Sequence, residues 1–145
     1  MSDTLRSVEI ERTGLGSYTA RNVRGGTLTM GGGDGPDFSP VELLLAAIGG
    51  CTAVDVDHIT VKRAEPERFT VTVSGDKIRD EQGNRMTNLT VEFAITFPDG
   101  DAGNAARAVL PKAVEMSHDR LCTVSRTVEL GTPIGTRLPN AGASL

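Results

Sequence analysis

Cys51 and Cys122 are the two cysteines of a 145-residue chain that also holds two histidines, His58 and His118. A thiolate is a nucleophile, and two thiols in one chain can work as an attacking and a resolving pair. Alternatively, free cysteines pack as small buried hydrophobes. Their wide separation fits neither a C-x-x-C motif nor a zinc knuckle, so no metal site is expected. If Cys51 lies on a helix, at about 100° per residue Asp55 falls roughly 40° from it and His58 within about 20°. His58 is then two turns away, too far to touch the thiol, and suits the carbonyls of a helix C-terminus instead. His118 precedes Cys122 by four residues, one helical turn, and could tune that sulfur. Glu42 lies nine residues before Cys51, on the opposite side of a straight helix, and a capping role explains it.

The elements that carry these residues are legible from pattern. Ser39-Pro40-Val41-Glu42 is a capping box with proline at the first helical position, so a helix starts there and runs to about Lys62. Its first half, Leu43 to Ile48, is apolar on every face, as in a helix buried all round. Gly49-Gly50 in its middle costs about 1 kcal/mol per residue relative to alanine. That cost is tolerable where a neighbour must approach closely or where something must reach Cys51. A second helix is expected from a cap at Asp99 or Asp101 to Leu121, with Pro111 kinking or breaking it.

Strands fill most of the rest. Ser7–Arg12, Tyr18–Arg21 and Thr27–Met30 read as three, turning at Gly14-Leu15-Gly16 and Gly25-Gly26. Arg68–Ser74 and Leu89–Phe97 alternate with period two and read as a hairpin whose long polar connection includes Asp80–Asn84. Thr123–Leu130 reads as a closing strand, and residues 135–145 as a polar tail. The glycine-rich stretch Gly31–Pro36 has no lysine at a Walker spacing and is taken as a connector rather than a phosphate cradle.

Composition narrows the function classes. Hydrophobic residues make up 38% and charged residues 23% of the chain, ordinary for a folded domain, and the length suits one domain over residues 1–145 with a core at about 8–130. The net charge of -4 argues against nucleic acid, which needs a basic face. No run is read as a membrane span, and Met1–Arg6 lacks a signal-peptide pattern, so a reducing cytoplasm is expected.

Two segments together carry a likeness. Ser39–Val56, with Gly49-Gly50-Cys51-Thr52-Ala53-Val54-Asp55-Val56 at its centre, resembles the first cysteine helix of the OsmC/Ohr family of osmotically induced and organic-hydroperoxide-resistance proteins. Ser117-His118-Asp119-Arg120-Leu121-Cys122-Thr123-Val124-Ser125-Arg126-Thr127 resembles its second cysteine segment. The resemblance implies an α+β fold, an intertwined homodimer with curved antiparallel sheets around central helices. It also implies a thiol peroxidase acting on organic hydroperoxides or hydrogen peroxide, with Cys51 peroxidatic and Cys122 resolving. A lipoyl-type dithiol would recycle it, with no bound cofactor. The Ohr-type glutamate position holds Val41 here, and the Ohr-type arginine position falls among Leu15, Gly16 and Ser17. The nearest arginines are Arg12, Arg21 and Arg24. Arg21, Asp55 and His118 are carried as supporting candidates. The alternative is a binding or redox-sensing protein of the same fold, with a small-molecule pocket at the dimer interface. A purely structural dimer module is the third reading.

Overall fold

The computed structural model describes residues 3–139 and 143–144. The chain forms two compact units, Met1–Ala46 and Ala47–Leu145. The first holds an antiparallel sheet of β1 (Val8–Gly14), β2 (Ser17–Asn22) and β3 (Thr27–Gly31), in that order. Ile10 pairs with Ala20, and Ala20 with Leu28, so these three form an apolar row across one face. Tyr18 and Met30 pair on the same face, whereas Glu9, Arg21 and Thr27 share the other. All three expected strands form.

Helix α1 (Pro40–Thr60) starts where its capping box places it. Ser39 N–H donates to Glu42 Oε1 at 2.9 Å, and Glu42 N–H to Ser39 Oγ at 3.2 Å, the reciprocal pair that such a box predicts. Those bonds hold the Glu42 carboxyl below its ordinary pKa, chiefly through the Ser39 backbone N–H. Within the second unit, Ile48, Thr52, Val56 and Thr60 recur every four residues and are buried. All-round burial of α1 is not found in one chain: Ala46, Ala47 and Val54 are exposed, because packing covers one stripe only. At 21 residues, with a mean hydropathy of 1.4 over its most apolar window, α1 has the length and composition to cross a bilayer. That corrects the reading of no such run; here the helix packs its buried stripe against protein.

Gly49 and Gly50 serve different ends. A Cβ on Gly49 would lie 2.5 Å from Val73 Cγ2, so the glycine lets the following hairpin press close to α1. Gly50 has nothing near it and leaves open space beside Cys51. That hairpin, β4 (Arg68–Asp80) with β5 (Gly83–Thr96), is longer than its sequence suggested. Its ladder runs to Asp80 opposite Gly83, so the expected long connection shrinks to Glu81-Gln82. The segment from Asp76 to Asp80 is polar because it is mostly exposed, which disguised it as a loop.

Helix α2 (Asp101–Met116) begins after Gly100, with no side-chain cap from Asp99 or Asp101, and passes through Pro111 without a break. A π-turn (Ser117–Leu121) follows, then a short helix α3 (Thr123–Glu129) where a strand was expected. The correction has a local cause. Cys122 takes the N-cap position, its Sγ accepting from Ser125 N–H, and Thr127 Oγ1 donates to Thr123 O at 2.7 Å. Those bonds favour a helix over the strand that the β-branched residues suggest. In the polar tail, Arg137–Leu138 (β6) pairs with Ala143–Ser144 (β7); residues 140–142 and 145 lie outside the described residues.

Candidate functional site

The two cysteines, far apart in sequence, come together in the second unit. Cys51 sits in the middle of α1, partly exposed; Cys122 is buried at the junction between the π-turn and α3. Both are free thiols. The π-turn makes the junction possible. Cys122 N–H donates to Ser117 O at 2.8 Å, five residues back, so the widened turn carries the chain from α2 to α3 with the sulfur inward.

The surroundings of the sulfurs differ. Burial pushes the Cys51 thiol above its ordinary pKa, the Val124 backbone N–H pulls the other way, and Cys122 and the Asp55 carboxylate add to the rise. Burial, the largest single cause, also raises Cys122, while hydrogen bonding from Ser125, through both hydroxyl and backbone N–H, lowers it. The interaction between the two sulfurs favours the anion on Cys122, so its net shift is downward.

Asp55 is held by a chain of buried hydroxyls. Ser117 Oγ donates to Asp55 Oδ2 at 2.8 Å, and Ser117 Oγ lies 2.7 Å from Thr52 Oγ1. A carboxylate only accepts, so the Ser117 proton goes to Asp55 and Thr52 donates to Ser117. This clamp ties α1 to the π-turn and fixes Asp55 where its charge reaches both sulfurs.

The other candidates lie elsewhere. His118, expected one helical turn from Cys122, lies in a π-turn instead, and its ring bonds to two carboxylates. Its Nδ1 is 3.0 Å from Asp119 Oδ1 and its Nε2 3.1 Å from Glu129 Oε1. Hydrogen bonding to Asp119, then the charge of Glu129, raise its pKa. His58 is exposed in the last turn of α1. Arg21 belongs to the first unit, 3.7 Å from Glu11 across the β1–β2 ladder. Among the described residues no group of three or more His, Cys, Asp or Glu side chains could hold a metal ion.

Sequence reasoning missed Ser117, Thr52 and Ser125. A usable signal was there: Thr52 and Asp55 are polar residues three apart that follow the apolar first half of the helix, and buried polar groups need partners.

Comparisons with known proteins agree with this arrangement. The OsmC-like protein family matches residues 31–137, which include both cysteines. An uncharacterized protein of Mycobacterium tuberculosis is 30% identical over 136 residues, 92% of this chain and 96% of the relative. An OsmC-like protein of unknown function from Vibrio cholerae shares the fold with a TM-score of 0.70 at 16% identity, over 87% of this chain and 94% of that one. The organic hydroperoxide resistance protein OsmC of Legionella pneumophila does so with a TM-score of 0.59 at 18% identity, over 88% and 91%. With its mixed α+β architecture and a cysteine from each of two separate segments meeting at one place, the chain belongs to the OsmC-like family.

Proposed function

We propose that the protein is a thiol-dependent hydroperoxide reductase in which Cys51 attacks and Cys122 resolves. The observation that carries this is the meeting of two free thiols, one partly exposed and one buried. A hydroperoxide from outside can reach only the exposed one. Cys51 sulfur takes the terminal oxygen of ROOH; the O–O bond breaks, ROH leaves, and Cys51 becomes a sulfenic acid. The Cys122 thiolate then attacks that sulfur, the S–O bond breaks as the S–S bond forms, and the leaving hydroxide takes a proton from solvent to become water. An external dithiol reduces the disulfide and is itself oxidised to a cyclic disulfide, restoring both thiols. Ser125 favours the second step by lowering the Cys122 pKa, which makes its thiolate easier to form. The cycle uses no resident metal or organic cofactor and suits a reducing cytoplasm.

The protein works as a homodimer in this reading. The apolar face of the β1–β3 sheet supports it: Val8, Ile10 and Leu28 are 66%, 54% and 46% exposed. A sheet face of that kind needs cover. The relatives named for organic hydroperoxide resistance lend the substrate class.

A second reading rests on the same site. The groups that raise Cys51 are burial, Cys122 and Asp55, and a thiol kept protonated reacts slowly with peroxide. That favours a redox-sensing or ligand-binding member of the fold. Stopped-flow oxidation by cumene hydroperoxide and by hydrogen peroxide separates the two. Fast consumption abolished by Cys51→Ser, with Cys122→Ser leaving Cys51 open to overoxidation, supports the reductase. Oxidation as slow as that of a free thiol supports the sensor.

A further inference from the structure

A cavity of about 550 Å³, a volume typical of small-molecule sites, opens in the second unit, its wall including Thr52, next to Cys51 in the chain, and Ser125, bonded to Cys122. Its floor is apolar, formed by Ile48 of α1, Val91 and Phe93 of β5, Val114 of α2 and Val128 of α3. Its polar groups are Thr52, Ser125, Glu115, His118, Asp119 and Glu129, with no lysine or arginine among them.

The hydrogen bonds already described decide what those groups can offer. Thr52 is buried, 6% exposed, and its one hydroxyl proton goes to Ser117, so it shows the cavity only lone pairs. His118 has both ring nitrogens on carboxylates, and as imidazolium spends both protons there. Ser125 Oγ lies 3.2 Å from Cys122 Sγ and gives its proton to that sulfur whenever the sulfur is a thiolate. Glu115, Asp119 and Glu129 are acceptors, three carboxylates against one imidazole. In the thiolate state every side-chain donor lining the cavity is committed, and every free polar valence is an acceptor.

We propose that this cavity binds an amphipathic organic cation, an apolar body carrying an ammonium or similarly donor-rich head. Its tail lies on the apolar floor, and its head sits among the acceptors that the hydroxyl clamp and the carboxylates leave open. A fatty carboxylate would bring acceptors to acceptors and like charge to like charge. Because Ser125 is acceptor-only when Cys122 is ionised, such a cation binds the thiolate state best, and binding reciprocally favours the thiolate.

The test is a calorimetric titration of the full chain, as wild type and as Cys51→Ser, with octylammonium, 1-octanol and octanoate in turn. Binding is read without turnover, so failure of the peroxide chemistry leaves the measurement intact. Octylammonium should bind about tenfold or more tighter than octanol, as for a charge-assisted hydrogen bond, and octanoate weakest. The double substitution Asp119→Asn with Glu129→Gln should remove the preference for ammonium while leaving octanol bound. Should that variant be unstable, Glu115→Gln on the exposed face of α2 should weaken octylammonium alone, by a smaller factor. Equal or tighter binding of octanol or octanoate, no binding of any of the three, or an undiminished preference in the carboxylate variants would each overturn the proposal.

Discussion

None of the described residues before Ala47 is buried, whereas Ile48, Val56, Phe97, Ala106, Ala113 and Cys122 make an apolar core in the second unit. The first unit has well-formed ladders and a two-faced sheet, yet that sheet's apolar side stands open. The second buries both a helix stripe and a hydroxyl clamp. Regular secondary structure and a packed core are separate achievements, and the two thiols sit where the packing is.

Glycines give the sharpest way to break that contrast. A Cβ on Gly103, in the first turn of α2, would collide with the Pro98 carbonyl oxygen, whereas one on Gly35 meets nothing. Gly103→Ala should destabilise by about 3 kcal/mol in denaturant unfolding, because backbone must move, and Gly35→Ala by close to nothing. Equal effects would erase the difference between the units.

The open sheet face makes the next prediction. Ile10→Asp puts a charge at one end of the apolar row and should weaken any self-association about tenfold or more in sedimentation. The single-chain fold should keep its circular dichroism. Unchanged association would remove the sheet from any dimer contact.

The hydroxyl clamp should be worth less than the glycine fit. Ser117→Ala takes away the donor to Asp55 and leaves Thr52 without its acceptor, at about 1–3 kcal/mol. With Asp55 released, the pH dependence of Cys51 alkylation should shift; a stability loss with an unmoved profile would make the clamp structural alone.

The smallest effect belongs to His118. Its folded pKa is raised, so its contribution is fully present below the ordinary histidine range near pH 6.5 and fades as pH rises through the folded value. With the side chain 61% exposed, that contribution should stay below about 1 kcal/mol. His118→Gln should flatten the unfolding midpoint between pH 6 and 8 by that much, and a larger change would mean a less solvated bridge.

How much of this could be read in advance depended on how local the physics was. The capping box of α1 was legible because Ser39 and Glu42 satisfy one another within four residues. So were the short strands of the first unit, set by alternation and glycine turns. The helix at Thr123–Glu129 was not, because its β-branched residues favour a strand and its start depends on a cysteine as N-cap. The π-turn was not either, nor were the Asp119 and Glu129 partners of the His118 ring. Cys51 and Cys122 were recognisable as chemistry, but the Ser117 clamp between them is a long-range contact that no spacing records.

The central claim is that these two thiols form one redox pair. One equivalent of cumene hydroperoxide, followed by thiol counting and peptide mapping of the wild-type chain, tests it most directly. The account predicts loss of both free thiols and a single Cys51–Cys122 disulfide within one chain. Disulfides between chains, or Cys51 overoxidised while Cys122 remains a free thiol, would contradict it.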